Sequence, residues 1–219
     1  MTAADPRIAV LDDWIALAKA PGVTVFPRRA GDGPPSLLER LLAVDPAQAQ
    51  AWPEGFEGGL LHRLDTWTSG LVLAARSPDA LARGRELFAA HGLRKHYRFA
   101  SARDVAWDEH RVEHALAHDR KDRRKMVWRR GQSTPHRGSW LPARTDLRRD
   151  GALWAATMST GVMHQIRVHA ASAGLPLLGD RLYGGGPDPA GGVRYYLHHV
   201  GIDGWPVPLP TIPAPGDWP

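Results

Sequence analysis

Apolar positions along this 219-residue chain recur at two spacings, and each change of spacing marks a new element. Strand-like runs at 8–11 and 14–18 flank Asp12-Asp13, which reads as a hairpin turn, and 23–26 adds a short β-rich run after Pro21-Gly22. At 36–44 (S-L-L-E-R-L-L-A-V) the spacing becomes helical behind Ser36, with Glu39 completing a capping box. Residues 46–59 read as loop, and 60–75 as strand, turn and strand with Asp65 at the bend. Residues 77–91 have the cap, the periodicity and the following Gly92 of a second helix. Strand patterns return at 95–102, 114–117, 125–128, 140–147 and 153–159. Residues 164–173 begin strand-like and turn Ala-rich, which we read as a helix running to Gly174. A Pro-rich tail, 206–219, is expected to lie extended against the surface. The elements together predict an α+β protein with a large mixed, mainly antiparallel sheet and flanking helices.

A hydrophobic content of 43% supports one good core, so a single domain over 1–219 is expected, two small ones being the alternative. No apolar run has the length of a membrane span, residues 1–6 do not read as a signal peptide, and no membrane partner is expected. The absence of cysteine excludes disulfides and thiolate metal sites and fits a reducing, cytoplasmic setting. Charge is uneven: residues 120–149 hold eleven Lys or Arg against Asp122 and Asp146, a balance of +9 in a chain of net charge +5. Within it, Arg120 to Lys125 is followed by Met126-Val127-Trp128 and Arg129-Arg130, cations interleaved with an aromatic as in a polyanion-binding hairpin. Arg outnumbers Lys 24 to 4 throughout, so a solvated Arg-rich loop is the alternative, but the clustering favours contact with RNA.

The stretch 61–76, L-H-R-L-D-T-W-T-S-G-L-V-L-A-A-R, puts one carboxylate, Asp65, in apolar surroundings. Asp65 with Thr66, Thr68, Ser69 and Gly70 also describes a polar turn bonded to its own backbone. A second segment, 160–184, decides between the two. Together with it, H-R-L-D-x-x-T-S-G at 62–70, Lys95-His96-Tyr97 as K-x-Y, and T-G-x-x-H-Q-I-R-x-H at 160–169 stand in the order of a known family. The opening 8–27, with Lys19-Ala20-Pro21-Gly22 for K-P-x-G, and Leu197-His198-His199 match more loosely. On these blocks the chain resembles the RluA-type RNA pseudouridine synthases. It departs from them at Val162-Met163, where Arg-Thr is common, and in the shifted proline at Ala20-Pro21.

The resemblance implies a pseudouridine synthase catalytic fold that isomerises uridines in structured RNA, ribosomal or transfer, with no cofactor, no metal and no obligatory protein partner. It implies Asp65 as the catalytic carboxylate, Arg167 as the cation that keeps it ionised, and Tyr97 as the aromatic against the target uracil. Arg63, two residues before Asp65 and on the same face of an extended segment, is placed to fill the space left by a flipped nucleotide. His62, His164 and Gln165 are further RNA-contact candidates, and Arg123, Arg124 and Lys125 candidates for phosphate. With the first strand at residue 8, the catalytic domain is expected without an N-terminal RNA-binding domain. Three other readings compete. A catalytically silent RNA-binding protein keeps the fold; a glycoside hydrolase pairs Asp65 with Glu54 or Glu57; and a metal hydrolase uses His164 and His169, whose spacing of five faces them apart.

Overall fold

The computed structural model describes residues 5–27, 34–101 and 103–218. These form strands β1 (Arg7–Val10), β2 (Trp14–Lys19), β3 (Ser69–Ala75), β4 (Arg94–Phe99), β5 (Glu109–Val112), β6 (Leu116–Asp119), β7 (Met126–Trp128), β8 (His136–Leu141), β9 (Thr145–Asp150), β10 (Leu153–Met158) and β11 (Leu197–Asp203). The α-helices are α1 (Leu37–Val44), α2 (Pro78–Ala89) and α3 (Gln165–Ser172). The chain gathers into two compact units, Met1–Leu93 with His198–Ala214, and Arg94–Leu197 with Pro215–Pro219.

In the first unit the strand order is β1-β2-β3-β11. β2 and β3 pair antiparallel from Trp14↔Ala75 to Lys19↔Gly70, and β3 and β11 are parallel through His198↔Ser69 and His199↔Gly70. β3 is buried at all seven positions, so its sequence runs apolar without alternation. One of its faces packs in a cluster with Trp14, Leu61, Leu81, Leu93, Ile202 and Trp205, and Val207, Leu209 and Ile212 of the Pro-rich tail lie against that cluster. Ser36 caps α1 with both halves of the capping box, and Ser77 caps α2 with Pro78 in its first turn.

The second unit orders its strands β4-β10-β9-β5, beside a three-stranded sheet β7-β6-β8. α3 packs its Val168 with Leu116, Met126 and Ala143. The expected α+β fold with mixed, mainly antiparallel strands is present: β1–β2, β2–β3, β4–β10, β9–β10, β5–β9, β6–β7 and β6–β8 pair antiparallel and β3 with β11 parallel.

The sequence reading departs from this fold in five places. Residues 60–64, read as the first strand of a strand-turn-strand, are irregular apart from an isolated bridge of Leu60 with Ala74. Residues 23–26 are not a strand, because the Thr24 and Val25 carbonyls accept from Leu37 and Leu38 N–H at the start of α1. The single strand read at 140–147 is two, β8 and β9, separated around Pro142. β5 was not read, since Glu109-His110-Arg111 are exposed and carry no apolar alternation. β11 was not read either, since burial on both faces leaves it no period of two.

Candidate active site

Asp65 lies half-buried in the irregular stretch before β3, and backbone contacts fix the bend around it. The Thr68 N–H donates to the Asp65 carbonyl at 3.1 Å. The next carbonyl, of Thr66, accepts twice, from the Gly22 N–H at 2.9 Å and from Lys19 Nζ at 3.0 Å. Lys19 closes β2, is 2% exposed, and also donates to the carbonyls of Val23 at 2.7 Å and Ala20 at 3.0 Å. Three ammonium protons meet three carbonyls. Burial pushes Lys19 down to about 7 while the charge of Asp65 opposes that shift, and the carbonyls favour the charged form as well. Gly22 has φ +82°, and a Cβ there would stand 3.0 Å from the Trp67 ring, so the turn admits close packing of the indole. A Cβ at Gly70, φ +113°, would collide with the His199 backbone across the parallel pairing.

The histidines near this bend do structural work. His62 Nε2 accepts the Leu73 N–H at 3.2 Å, and its ring packs on Phe88 and, edge to face, on His199. His199 Nδ1 donates to the Leu71 carbonyl at 2.6 Å. His198 Nε2 donates to the Ile212 carbonyl at 3.0 Å, which leaves Nδ1 as acceptor for Ser69 Oγ at 2.9 Å. Arg63, by contrast, is exposed.

In the second unit Tyr97 is 6% exposed on β4, opposite Ala156 of β10. Lys95 shares its face, two residues earlier, and burial pushes that ammonium down to about 8. Gly161 approaches it closely enough that a Cβ would come 3.1 Å from Lys95 Nζ. Arg167 projects from α3 and grips Asp180 with two bonds, Nε to Oδ2 at 2.6 Å and Nη2 to Oδ1 at 3.0 Å. Both residues are buried, at 6% and 2% exposure. The guanidinium carbon lies 4.3 Å from the Tyr195 ring centre and 5.0 Å from that of Tyr183. Asp180, Tyr183 and Tyr195 were not singled out from the sequence, although Asp180 and Tyr183 fall inside the 160–184 block.

The loop before α3 is held from both ends. His164 takes a left-handed conformation, φ 56° and ψ 18°, and its Nδ1 meets Tyr183 Oη at 2.8 Å. Tyr183 Oη also accepts the Met126 N–H at 2.8 Å. Gln165, a candidate for RNA contact, is 2% exposed. Its Oε1 accepts from Thr160 Oγ1 and the Val162 N–H, while its Nε2 donates to the Arg144 carbonyl and to Thr145 Oγ1. The amide is saturated by these four protein partners. His169, one turn on, is fully buried between Thr145 Oγ1 and the His114 carbonyl, and burial lowers it to about 4.

The basic segment runs from the turn between β6 and β7 through β8 into β9. Asp119 Oδ1 accepts the N–H groups of Lys121 and Asp122, both at 2.8 Å, which shapes the turn. Arg120, Lys121, Arg123 and Arg124 are exposed on it; Arg124 pairs with Asp122 at 3.1 Å. Arg120, Lys121, Arg123, Arg129 and Arg130 form no ion pair among the described residues. Lys125 is turned inward, its Nζ 5.9 Å from the Tyr183 ring centre. Trp128 stacks on His114 at 4.6 Å. The cations of the turn face solvent and its aromatic supports the hairpin. Arg144 and Arg149 lie in acid pairs instead. Arg28 and Arg29, a second basic pair in the sequence, lie outside the described residues.

No group of three or more His, Asp or Glu among the described residues is placed to hold a metal ion, and no described helix is long and apolar enough to cross a membrane. Comparison with known proteins points in one direction. A family model described as RNA pseudouridylate synthase matches residues 13–172. An uncharacterized RNA pseudouridine synthase of Haemophilus influenzae is 28% identical over 87% of this chain and 78% of its own length. Ribosomal large subunit pseudouridine synthase D of Xylella fastidiosa is 35% identical over 80% of this chain and 50% of its own. RNA pseudouridine synthase 2 of rice, a chloroplastic protein, is 35% identical over 58% of this chain, which spans 29% of the rice protein. Among solved structures, human RNA pseudouridylate synthase domain containing 1 superimposes with a TM-score of 0.70 at 21% identity, covering 90% of this chain and 76% of that one.

Proposed function

The chain belongs to the RNA pseudouridylate synthase family, and from that premise we propose that it isomerises uridine to pseudouridine in structured RNA. The observation that carries this is the extent of the family match, 13–172, which takes in Asp65, Tyr97 and Arg167 together. In this reaction the C1′–N1 bond breaks, the uracil turns, a C1′–C5 bond forms, and the C5 proton is lost while N1 gains one. Electrons balance without oxidant, reductant or external energy.

Asp65 acts as the carboxylate, whether by adding to the base, attacking the sugar or removing a sugar proton. The pinned bend supports this role, since Lys19 and Gly22 hold the carbonyl of the next residue and so restrict where the side chain can point. Arg167 keeps Asp65 ionised, and Tyr97 packs on the uracil. Arg63 fills the space of the flipped nucleotide. The exposed turn cations, Arg123 and Arg124 foremost, take phosphates, with Lys125 contributing from behind. Ribosomal RNA is the first substrate to try, because the synthase D relatives are named for the large ribosomal subunit; transfer RNA is the second. A cytoplasmic setting is part of the same proposal.

The test is incubation of the purified chain with unmodified ribosomal and transfer RNA transcripts, followed by digestion to nucleosides and chromatography. Pseudouridine appearing with one class supports the reading and names the substrate. RNA retained without any pseudouridine would favour the catalytically silent RNA-binding protein.

A further inference from the structure

We propose that Asp180 is a positioning residue of this reaction, acting through Arg167 by holding its guanidinium in one plane and one orientation. The inference rests on the reading that Arg167 takes part in the chemistry. The geometry points to it for three reasons.

The first is the edge that Asp180 occupies. An arginine fork has two edges able to bind a carboxylate, one made by Nε with an Nη and one made by the two Nη groups. Asp180 takes the Nε–Nη2 edge with both oxygens. The guanidinium plane therefore cannot turn about Cδ–Nε without breaking two charged hydrogen bonds.

The second is the pair of rings. Tyr195 and Tyr183 lie 4.3 Å and 5.0 Å from the guanidinium carbon, which blocks tilting of the plane that the carboxylate alone would permit. The tyrosines are themselves fixed. Tyr183 Oη is bonded to the Met126 N–H and His164 Nδ1, and Tyr195 is 5% exposed.

The third is the turn that presents Asp180. Its N–H donates to the Leu177 carbonyl at 3.0 Å, and its carbonyl accepts from Tyr183 at 3.1 Å and Gly185 at 2.8 Å. Side chains are excluded on both sides, since a Cβ at Gly179 would strike the Arg194 carbonyl and one at Gly185 the Leu177 carbonyl. The backbone is built to deliver one carboxylate to one place. A surface arginine needs none of this.

Single-turnover rates with enzyme in saturating excess test the idea, because they do not depend on the fraction of active protein. Asp180→Asn removes the charge and one acceptor, and we expect its rate constant to fall by about a hundredfold, the scale of a misplacement near 1 Å. The enzyme concentration for half-saturation should stay within about threefold, since phosphate contacts, not this pair, set RNA affinity. Asp180→Glu keeps the charge but shifts the carboxylate by one methylene; it should fold and give an intermediate rate. In an Arg167→Lys background, Asp180→Asn should cost no more than about twofold further, because a residue acting through Arg167 has little left to position. A folded Asp180→Glu or Asp180→Asn protein with the wild-type rate overturns the proposal. So does a double variant in which the two losses multiply in full, the result of a merely structural role. If Asp180→Asn does not fold, Asp180→Glu carries the test alone. A wild-type rate for Arg167→Met would instead remove the reading of Arg167 itself.

Discussion

Lysine in place of Arg167 retains a positive charge and loses the fork that binds Asp180 with two bonds. If the reaction needs only a nearby cation, Arg167→Lys should turn over normally. If it needs a guanidinium held in one plane, the variant should lose about a hundredfold, the equivalent of one charge-assisted hydrogen bond of roughly 3 kcal/mol. We expect the second result, with Arg167→Met lower still and RNA affinity retained in both, as measured by single-turnover assay and filter binding. At this scale the sequence pointed to Asp65 and Arg167 because their neighbours form long motif blocks, and to Tyr97 through the short K-x-Y element of the same resemblance. It concealed the support. Gln165 looks like a polar residue offered to a ligand, yet two of its four amide partners, Arg144 and Thr145, are about twenty positions away in the chain. Lys19 stands 46 positions before Asp65 by number, and only the pairing of β2 with β3 puts its ammonium on the Thr66 carbonyl.

The β6–β7 hairpin is the element whose role is easiest to separate from chemistry. Replacing Arg123, Arg124 and Lys125 with Ala should weaken RNA binding and flatten its salt dependence, each lost phosphate contact lowering the log-log slope by roughly 0.7 to 0.9. Arg123 and Arg124 should account for most of the change, since Lys125 is turned toward Tyr183. With enzyme in saturating excess the single-turnover rate should approach that of wild type. An unchanged salt slope in equilibrium binding titrations would show that the turn is only solvated and that the RNA surface lies elsewhere. Elements with a clean period were legible before the structure: Ser36 and Ser77 cap helices where the sequence placed them. Those without one were not. β5 is a charged strand, β11 is buried on both faces, and the run at 23–26 spends the Thr24 and Val25 carbonyls on α1.

The whole molecule should respond to acid through His169. Burial lowers this histidine from 6.5 to about 4, so as pH falls through 6.5 the unfolded chain takes up a proton that the folded chain refuses until near 4. Across that window the unfolded state binds more protons, and stability is lost as pH falls, by roughly 3 kcal/mol when complete. Urea midpoints measured between pH 7 and pH 4 should drop accordingly, and His169→Gln should flatten the decline. A wild-type midpoint that does not move over this range would contradict a neutral, buried His169. The family and the α+β class were legible at this scale because motif blocks and strand patterns are spread along most of the chain. The grouping into two compact units was not, because it joins residues 1–93 to 198–214 and no composition shift marks either boundary. The central claim is that this chain makes pseudouridine with Asp65. The most direct measurement is release of tritium to water from RNA labelled at uracil C5, compared between the wild-type chain and Asp65→Asn. The account predicts release by the wild type and none above background by Asp65→Asn, with RNA affinity retained within about threefold because phosphate contacts are untouched. Release by the Asp65→Asn chain at a rate comparable to wild type would contradict it.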